Sequence, residues 1–169
     1  VWGGRAGILL EWGIDPEAMV TVPTLAQQLD KQGIETRALY SAYFRDSGFS
    51  KMLYRGVKAV RTHLLASDFW TELRALLADT RGKQAFLTAY WSGLDTVGHA
   101  YAPDTGAWRA ELRTVAFLLD RELFEALPAA DREGTLLLIT ADHGQIRVPP
   151  EHIVTANREP GLSRHLMVP

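Results

Sequence analysis

Three stretches of the chain repeat apolar residues with the 3.6-residue period of an amphipathic helix. The predicted helices run over about residues 24–32, 67–82 and 105–127. Thr24 is suited to cap the first helix, and Gly33 and Gly82 stand where the first two end. Pro128 ends the third, because proline lacks the N–H that would continue a helix. This third stretch carries the longest apolar stripe of the chain, from Trp108 to Leu127.

Residues 34–40 are predicted to form a strand after the first helix, and continuous apolar runs of strand length follow the second and third helices, over residues 85–91 and 135–140. The last run, from Thr135 to Thr140, contains only leucine, isoleucine and threonine, which predicts a strand buried on both faces by helices. Helices that alternate with strands favour a parallel sheet with right-handed crossovers. We therefore expect an α/β fold with three layers and a mostly parallel sheet. Residues 1–23 and the last twenty are expected to be irregular, apart from a short helix near Leu162–Leu166.

Composition narrows the class of protein. The chain has 169 residues, of which 47% are hydrophobic and 22% charged, so residues 1–169 have the size and balance of a single domain. A net charge of −2 provides no broad attraction for nucleic acid or for an anionic membrane. The chain has no cysteine, and any metal must therefore be bound through nitrogen and oxygen.

The sequence also suggests a location and an origin. No apolar run approaches the roughly 20 residues that cross a bilayer, and the first residues do not resemble a signal peptide. We therefore expect a cytoplasmic protein without a membrane partner. The chain begins with Val1 rather than methionine, which suggests that it starts inside a longer protein. Its oligomeric state is not predicted.

The strongest chemical signal lies after two of the predicted strands. Asp95 and His99 follow the strand at 85–91, and Asp142 and His143 follow the strand at 135–140. Loops at the carboxyl ends of parallel strands open into one crevice, so these side chains are expected to converge. A mixed set of carboxylates and imidazoles suits zinc or manganese better than calcium. Either pair alone is better explained by capping and turn hydrogen bonds, and their combination favours metal binding.

A basic and aromatic stretch over residues 41–62 is the other candidate site. Lys51 or Arg55 could contact a phosphate oxygen of a substrate, with Phe49 or Tyr54 against a flat group. A solvated face with cations extended along it is the favoured explanation of this stretch.

Tyr90–Asp104 and Thr135–Gln145 together resemble the type I phosphodiesterase/nucleotide pyrophosphatase family of the alkaline phosphatase superfamily. The specific features are Asp-x-x-x-His at Asp95–His99 and Ala-Asp-His-Gly at Ala141–Gly144. Residues 22–29 and 47–56 are similar to segments of bacterial members. The resemblance covers most of residues 10–169 and implies part of an alkaline-phosphatase-like core.

By this resemblance, Asp95 and His99 bind one divalent metal ion and Asp142 and His143 bind a second, zinc being favoured over manganese. The implied activity is hydrolysis of a phosphodiester or pyrophosphate bond in a small phosphate ester or nucleotide. A pair of metal ions lowers the pKa of the attacking oxygen and stabilises the leaving group. The family uses a covalent intermediate on Thr or Ser.

The chain departs from the family pattern at two points. The nucleophilic Thr or Ser is not found, since Thr21, Thr24, Ser47 and Ser50 follow no buried strand in a matching setting. The last histidine ligand is also missing, because His152 and His165 follow His143 too closely. We therefore expect a fragment whose parent protein supplies the nucleophile.

Other functions remain open. The same ligands serve phosphomonoesterases, sulfatases and phosphomutases of the superfamily, and a non-catalytic metal-binding domain would also account for an incomplete site. A Ser-His-Asp hydrolase is disfavoured, because the chain has no Gly-x-Ser-x-Gly elbow around Ser92.

Overall fold

A computed structural model describes residues 8–155 and 158–163 of the chain. At its centre is a three-stranded parallel sheet in the order β2-β1-β3. The strands are β1 Glu35–Ser41, β2 Ala59–His63 and β3 Ala85–Ala89. The α-helices are α1 Ile8–Glu11, α2 Pro16–Met19, α3 Leu25–Asp30, α4 Gly48–Leu53, α5 Ala66–Asp79, α6 Gly93–Tyr101, α7 Gly106–Leu118, α8 Ala129–Arg132 and α9 Pro160–Ser163. The predicted α/β class and parallel sheet are confirmed.

The three predicted helices are also confirmed, as α3, α5 and α7. A capping box starts α3: the Thr24 side chain accepts a hydrogen bond from the Gln27 N–H at 3.2 Å, and the Gln27 side chain accepts one from the Thr24 N–H at 3.0 Å. Beyond Leu118, α7 continues as a π-helical segment, Leu119–Glu125, so the predicted helix to Leu127 is nearly complete.

Helices cover both faces of β1, the central strand, as three layers require. Leu39 points to one face and packs into a core with residues of α5 and the π-helical segment. That core consists of Leu39, Phe69, Trp70, Leu73, Leu76, Leu123 and Leu127. On the other face, Tyr40 stacks on Tyr54, at the end of α4, with ring centroids 4.5 Å apart.

Strand β2 was not predicted, because its residues fall in the basic and aromatic stretch. Arg61 points from β2 to α5, where its guanidinium is 2.7 Å from the Glu72 carboxylate and 3.0 Å from that of Asp79. Part of the basic stretch therefore pairs with acids of α5.

The predicted strand from Thr135 to Thr140 is wrong for this structure. These residues pair with no strand among the described residues, and Leu136 and Leu138 are 81% and 78% exposed. An apolar composition favours burial, but burial also needs a ladder partner and a covering helix, and this run has neither here.

Three smaller differences concern the ends and one loop. Short helices α1 and α2 lie in the stretch expected to be irregular. The predicted C-terminal helix begins earlier, as α9, and its last residues lie outside the described part. Residues 93–101, expected as a loop, form α6. No helix in the described residues is long and apolar enough to span a membrane.

Candidate functional site

Asp95 and His99 lie on one face of α6, because residues four apart in a helix are neighbours. The helix begins at Gly93, shortly after the carboxyl end of β3. The His99 Nε2 atom lies 3.3 Å from the Asp95 Oδ1 atom. The structure therefore places the first predicted pair together, at the sheet edge that the sequence predicted.

Asp142 and His143 lie in an exposed segment, and hydrogen bonds within the turn order them. The His143 N–H donates to Asp142 Oδ1 at 3.1 Å, and His143 Nδ1 lies 3.0 Å from the Gly144 carbonyl oxygen. When Nδ1 carries the proton and donates it to this carbonyl, Nε2 keeps its lone pair. A second hydrogen bond of this kind is how metal-binding histidines are commonly oriented.

The second pair meets the first at Asp95. His143 Nε2 is 3.8 Å from Asp95 Oδ1 and 3.9 Å from Asp142 Oδ2. The Asp95 carboxylate thus lies between two imidazoles from parts of the chain that are more than forty residues apart. The four residues were predicted to converge because each pair was expected to follow a strand of the sheet. The second pair lies near Asp95 although no strand directly precedes it among the described residues.

The donor chemistry of the site suits zinc, but its spacing is only partly that of a metal site. Zinc bonds of about 2.0–2.1 Å in a tetrahedron place neighbouring donor atoms about 3.3 Å apart. The Asp95–His99 distance of 3.3 Å agrees with this value, and the two distances from His143 are longer. Across residues 8–155 and 158–163, no three or more His, Asp or Glu side chains are grouped closely enough to hold a metal ion. The ligand roles of Asp95, His99, Asp142 and His143 thus remain predictions.

The carboxylates influence the titration of two neighbours. The pKa of the His143 imidazole is raised, first by its hydrogen bond to the Gly144 carbonyl and then by the charges of Asp142 and Asp95. The pKa of the Tyr90 hydroxyl is raised by burial and then by the same two carboxylates. Tyr90 is therefore part of the site's surroundings. Tyr90 stands at the end of a predicted strand, but no site role was predicted for it.

Gln145 is a second residue that the sequence analysis missed. Its Nε2 donates a hydrogen bond to Asp95 Oδ1 at 2.9 Å and lies 3.2 Å from the Asp95 carbonyl oxygen. Its position one residue after Gly144 was the only signal in the sequence.

Arg55 has a structural role in this fold. Its Nη atoms donate to the carbonyl oxygens of Glu17, Val20 and Val22 at 2.9, 3.1 and 3.0 Å. The guanidinium therefore holds the segment around α2 against α4. Lys51 lies exposed on α4. A substrate-binding role for Lys51 or Arg55 stays a prediction, and for Arg55 it would compete with these three hydrogen bonds.

The hydroxyl groups considered as nucleophiles have local contacts. Thr24 caps α3 and donates to the Arg55 carbonyl oxygen at 2.6 Å. Ser47 caps α4, and its Oγ lies 3.0 Å from the Ser50 Oγ. Thr21 is exposed, as is His152, while His165 lies outside the described residues.

The sequence model of the type I phosphodiesterase / nucleotide pyrophosphatase family matches residues 11–164. The chain therefore belongs to this family, as its two motifs indicated. Hydrolysis of phosphoesters is the general class of chemistry that membership supports. No curated protein and no solved structure matches the chain.

Proposed function

We propose that this chain is part of a metal-dependent phosphodiesterase or nucleotide pyrophosphatase and contributes Asp95, His99, Asp142 and His143 as ligands of two divalent metal ions. The observation that carries the proposal is the position of the Asp95 carboxylate, 3.3 Å and 3.8 Å from the Nε2 atoms of His99 and His143. Family membership adds the class of reaction. Zinc is the favoured metal and manganese the alternative, since the donors are nitrogen and oxygen.

Bound metal ions would neutralise charge on a phosphoryl group and lower the pKa of the attacking oxygen. The hydrogen bond between His143 Nδ1 and the Gly144 carbonyl would fix that imidazole with Nε2 facing the site. Tyr90 lies close enough to both carboxylates for their charges to act on its hydroxyl. No residue of this chain is assigned as the nucleophile.

The proposal predicts how metal and activity depend on His99. His99→Ala in the protein that contains this chain should lower zinc-dependent hydrolysis of bis-p-nitrophenyl phosphate by about 10³-fold or more, because members of such a site act as a unit. His152→Ala is the matched control, since His152 is an exposed histidine outside the site. Wild-type activity in His99→Ala would refute the ligand assignment.

Assays on the chain alone separate metal binding from catalysis. With about two protein ligands for each metal, rather than the three usual at a catalytic zinc, calorimetry should show weak zinc binding. The chain alone should not turn over the diester. Robust metal-dependent turnover would place the nucleophile within the chain, among Thr21, Thr24, Ser47 and Ser50. Preference for p-nitrophenyl phosphate or p-nitrophenyl sulfate would favour a phosphomonoesterase or a sulfatase, and metal binding with no activity in the longer protein would favour a non-catalytic domain.

A further inference from the structure

Gln145 stands out in the segment that carries Asp142 and His143. From Arg132 to Val148 every residue is exposed except Gln145, which is half-buried. Among the described residues, the hydrogen bonds that residues 136–148 make to the rest of the chain come from Gln145 alone. Gln145 is therefore the hydrogen-bonded link of this stretch to the rest of the described chain, two residues after His143, whose Nε2 lies 3.8 Å from Asp95 Oδ1.

The contact at that point is directed at a proposed ligand. Gln145 Nε2 donates to Asp95 Oδ1 at 2.9 Å, and the Asp95 carbonyl oxygen lies 3.2 Å away. Asp95 Oδ1 is the same atom that faces His99 at 3.3 Å and His143 at 3.8 Å. One amide group thus contacts both the side-chain and the backbone oxygen of Asp95.

Gly98 provides the space for this contact. A β carbon at Gly98 would lie 1.9 Å from Gln145 Oε1 and 2.7 Å from Gln145 Cδ. Gly98 lies inside α6, and a positive φ is not the reason for glycine here. A β carbon here would instead push the Gln145 amide, the flexible end of its side chain, away from Asp95. Alanine would otherwise be the better helix former.

We propose that Gln145 is a positioning residue that holds the Asp142–His143 turn against Asp95, and that Gly98 is the glycine that admits it. The expected effect of Gln145 on metal and substrate binding rests on the proposed function. The contact between Gln145 and Asp95 does not depend on that function. Gln145 touches no reacting atom and acts through Asp95 and His143.

The test compares Gln145→Ala, Gln145→Met, Gly98→Ala and the double variant Gly98→Ala/Gln145→Ala. Methionine keeps most of the volume of glutamine and removes the hydrogen bond. Ile146→Ala is the matched control, because Ile146 is the next residue and is 83% exposed. The first measurement needs no metal: amide and imidazole chemical shifts of residues 142–144 by NMR. Each of the first three variants should shift these signals, and Ile146→Ala should leave them in place.

The second measurement is zinc affinity by calorimetry, with kcat and KM in the protein that contains this chain. Residues that orient metal ligands typically change affinity by about 10- to 100-fold, and each single variant should weaken zinc binding by about this factor. The double variant should bind as Gln145→Ala does, because both changes remove one contact. Methionine should not rescue binding.

Two results would overturn the proposal: unchanged NMR signals in Gln145→Ala, or strictly additive losses in the double variant. Shifted NMR signals together with no zinc binding by the protein that contains this chain would instead refute the proposed function, while supporting the contact between Gln145 and Asp95.

Discussion

The region around β1 and α5 and the segment from Arg132 to Val148 are both rich in leucine, yet they differ in burial. Leu39 on β1 and Leu76 on α5 are 0% exposed, whereas Leu136 and Leu138 are 81% and 78% exposed. Strand β1 has a ladder partner on each side and helices on both faces. The segment has no ladder among the described residues. The difference shows that an apolar run is buried only where partner strands and covering helices meet it.

The two pairs of the candidate site lie in regions that differ in this burial. Asp95 and His99 stand on α6, which leaves the sheet directly after β3 and packs on α7. Asp142 and His143 stand in the exposed segment, which meets Asp95 through the Gln145 hydrogen bond and through His143 Nε2 at 3.8 Å. The position of Asp95 and His99 is thus set by the packed region. The other half depends on a few polar contacts, so local opening should affect it first.

The largest expected effect is the removal of a core side chain. Leu76→Ala should lower the free energy of unfolding by about 2–5 kcal/mol, because it leaves a cavity beneath the sheet. Leu138→Ala makes the same chemical change at an exposed site and should stay within about 0.5 kcal/mol of wild type. Urea unfolding of both variants measures the contrast. Equal losses would mean that residues 135–140 are buried in solution, as the sequence predicted.

A second, pH-dependent effect is expected within the packed region. His63 is 2% exposed, at the end of β2, between the rings of Phe69 and Trp91. Neither ring nitrogen meets hydrogen-bond geometry with a described residue. The pKa of the imidazole is lowered, because burial outweighs the nearby backbone groups of Tyr90 and Leu65 and the charge of Asp68, which raise it. The unfolded chain, with a His pKa of about 6.5, binds the proton first as the pH falls. Stability should therefore be full above about pH 6.5 and decrease below it, down to the lowered pKa of the folded state.

His63→Phe keeps an aromatic ring and should remove this part of the pH dependence. The measurement is the urea midpoint of both proteins between pH 7.5 and 5. Parallel curves for the two proteins would show that His63 is not the group responsible.

The smallest expected effect on stability comes from the Thr24 cap of α3. Thr24→Ala removes the cap of α3 and should cost about 1 kcal/mol. Thr24→Ser keeps an oxygen that can accept the Gln27 N–H, and it should retain most of the stability. Thermal unfolding of the two variants measures the difference. A serine variant as unstable as the alanine variant would assign the loss to the threonine methyl group rather than to the cap.

Local sequence patterns predicted the helices and strands that lie in surroundings typical of such elements. Neighbouring residues were enough to predict the Thr24 cap, the apolar stripe of α5 and the run that forms β3. Strand β2 was missed because its charges suggested a solvated face, whereas Arg61 pairs with two acids of α5. Such long-range ion pairs are not visible in local sequence.

The sequence by itself determined the α/β class, the family, and the residue types of the candidate site at Asp95, His99, Asp142 and His143, because these depend on local period and motif spacing. Only the tertiary structure decided that residues 135–140 lie outside the sheet, that α6 carries the first pair, and that Gln145 joins the two motifs. Each of these depends on contacts between residues far apart in the chain. Local propensity contributes at most about 1 kcal/mol per residue, and the partners available in the folded chain decide where an apolar run or a polar side chain is placed.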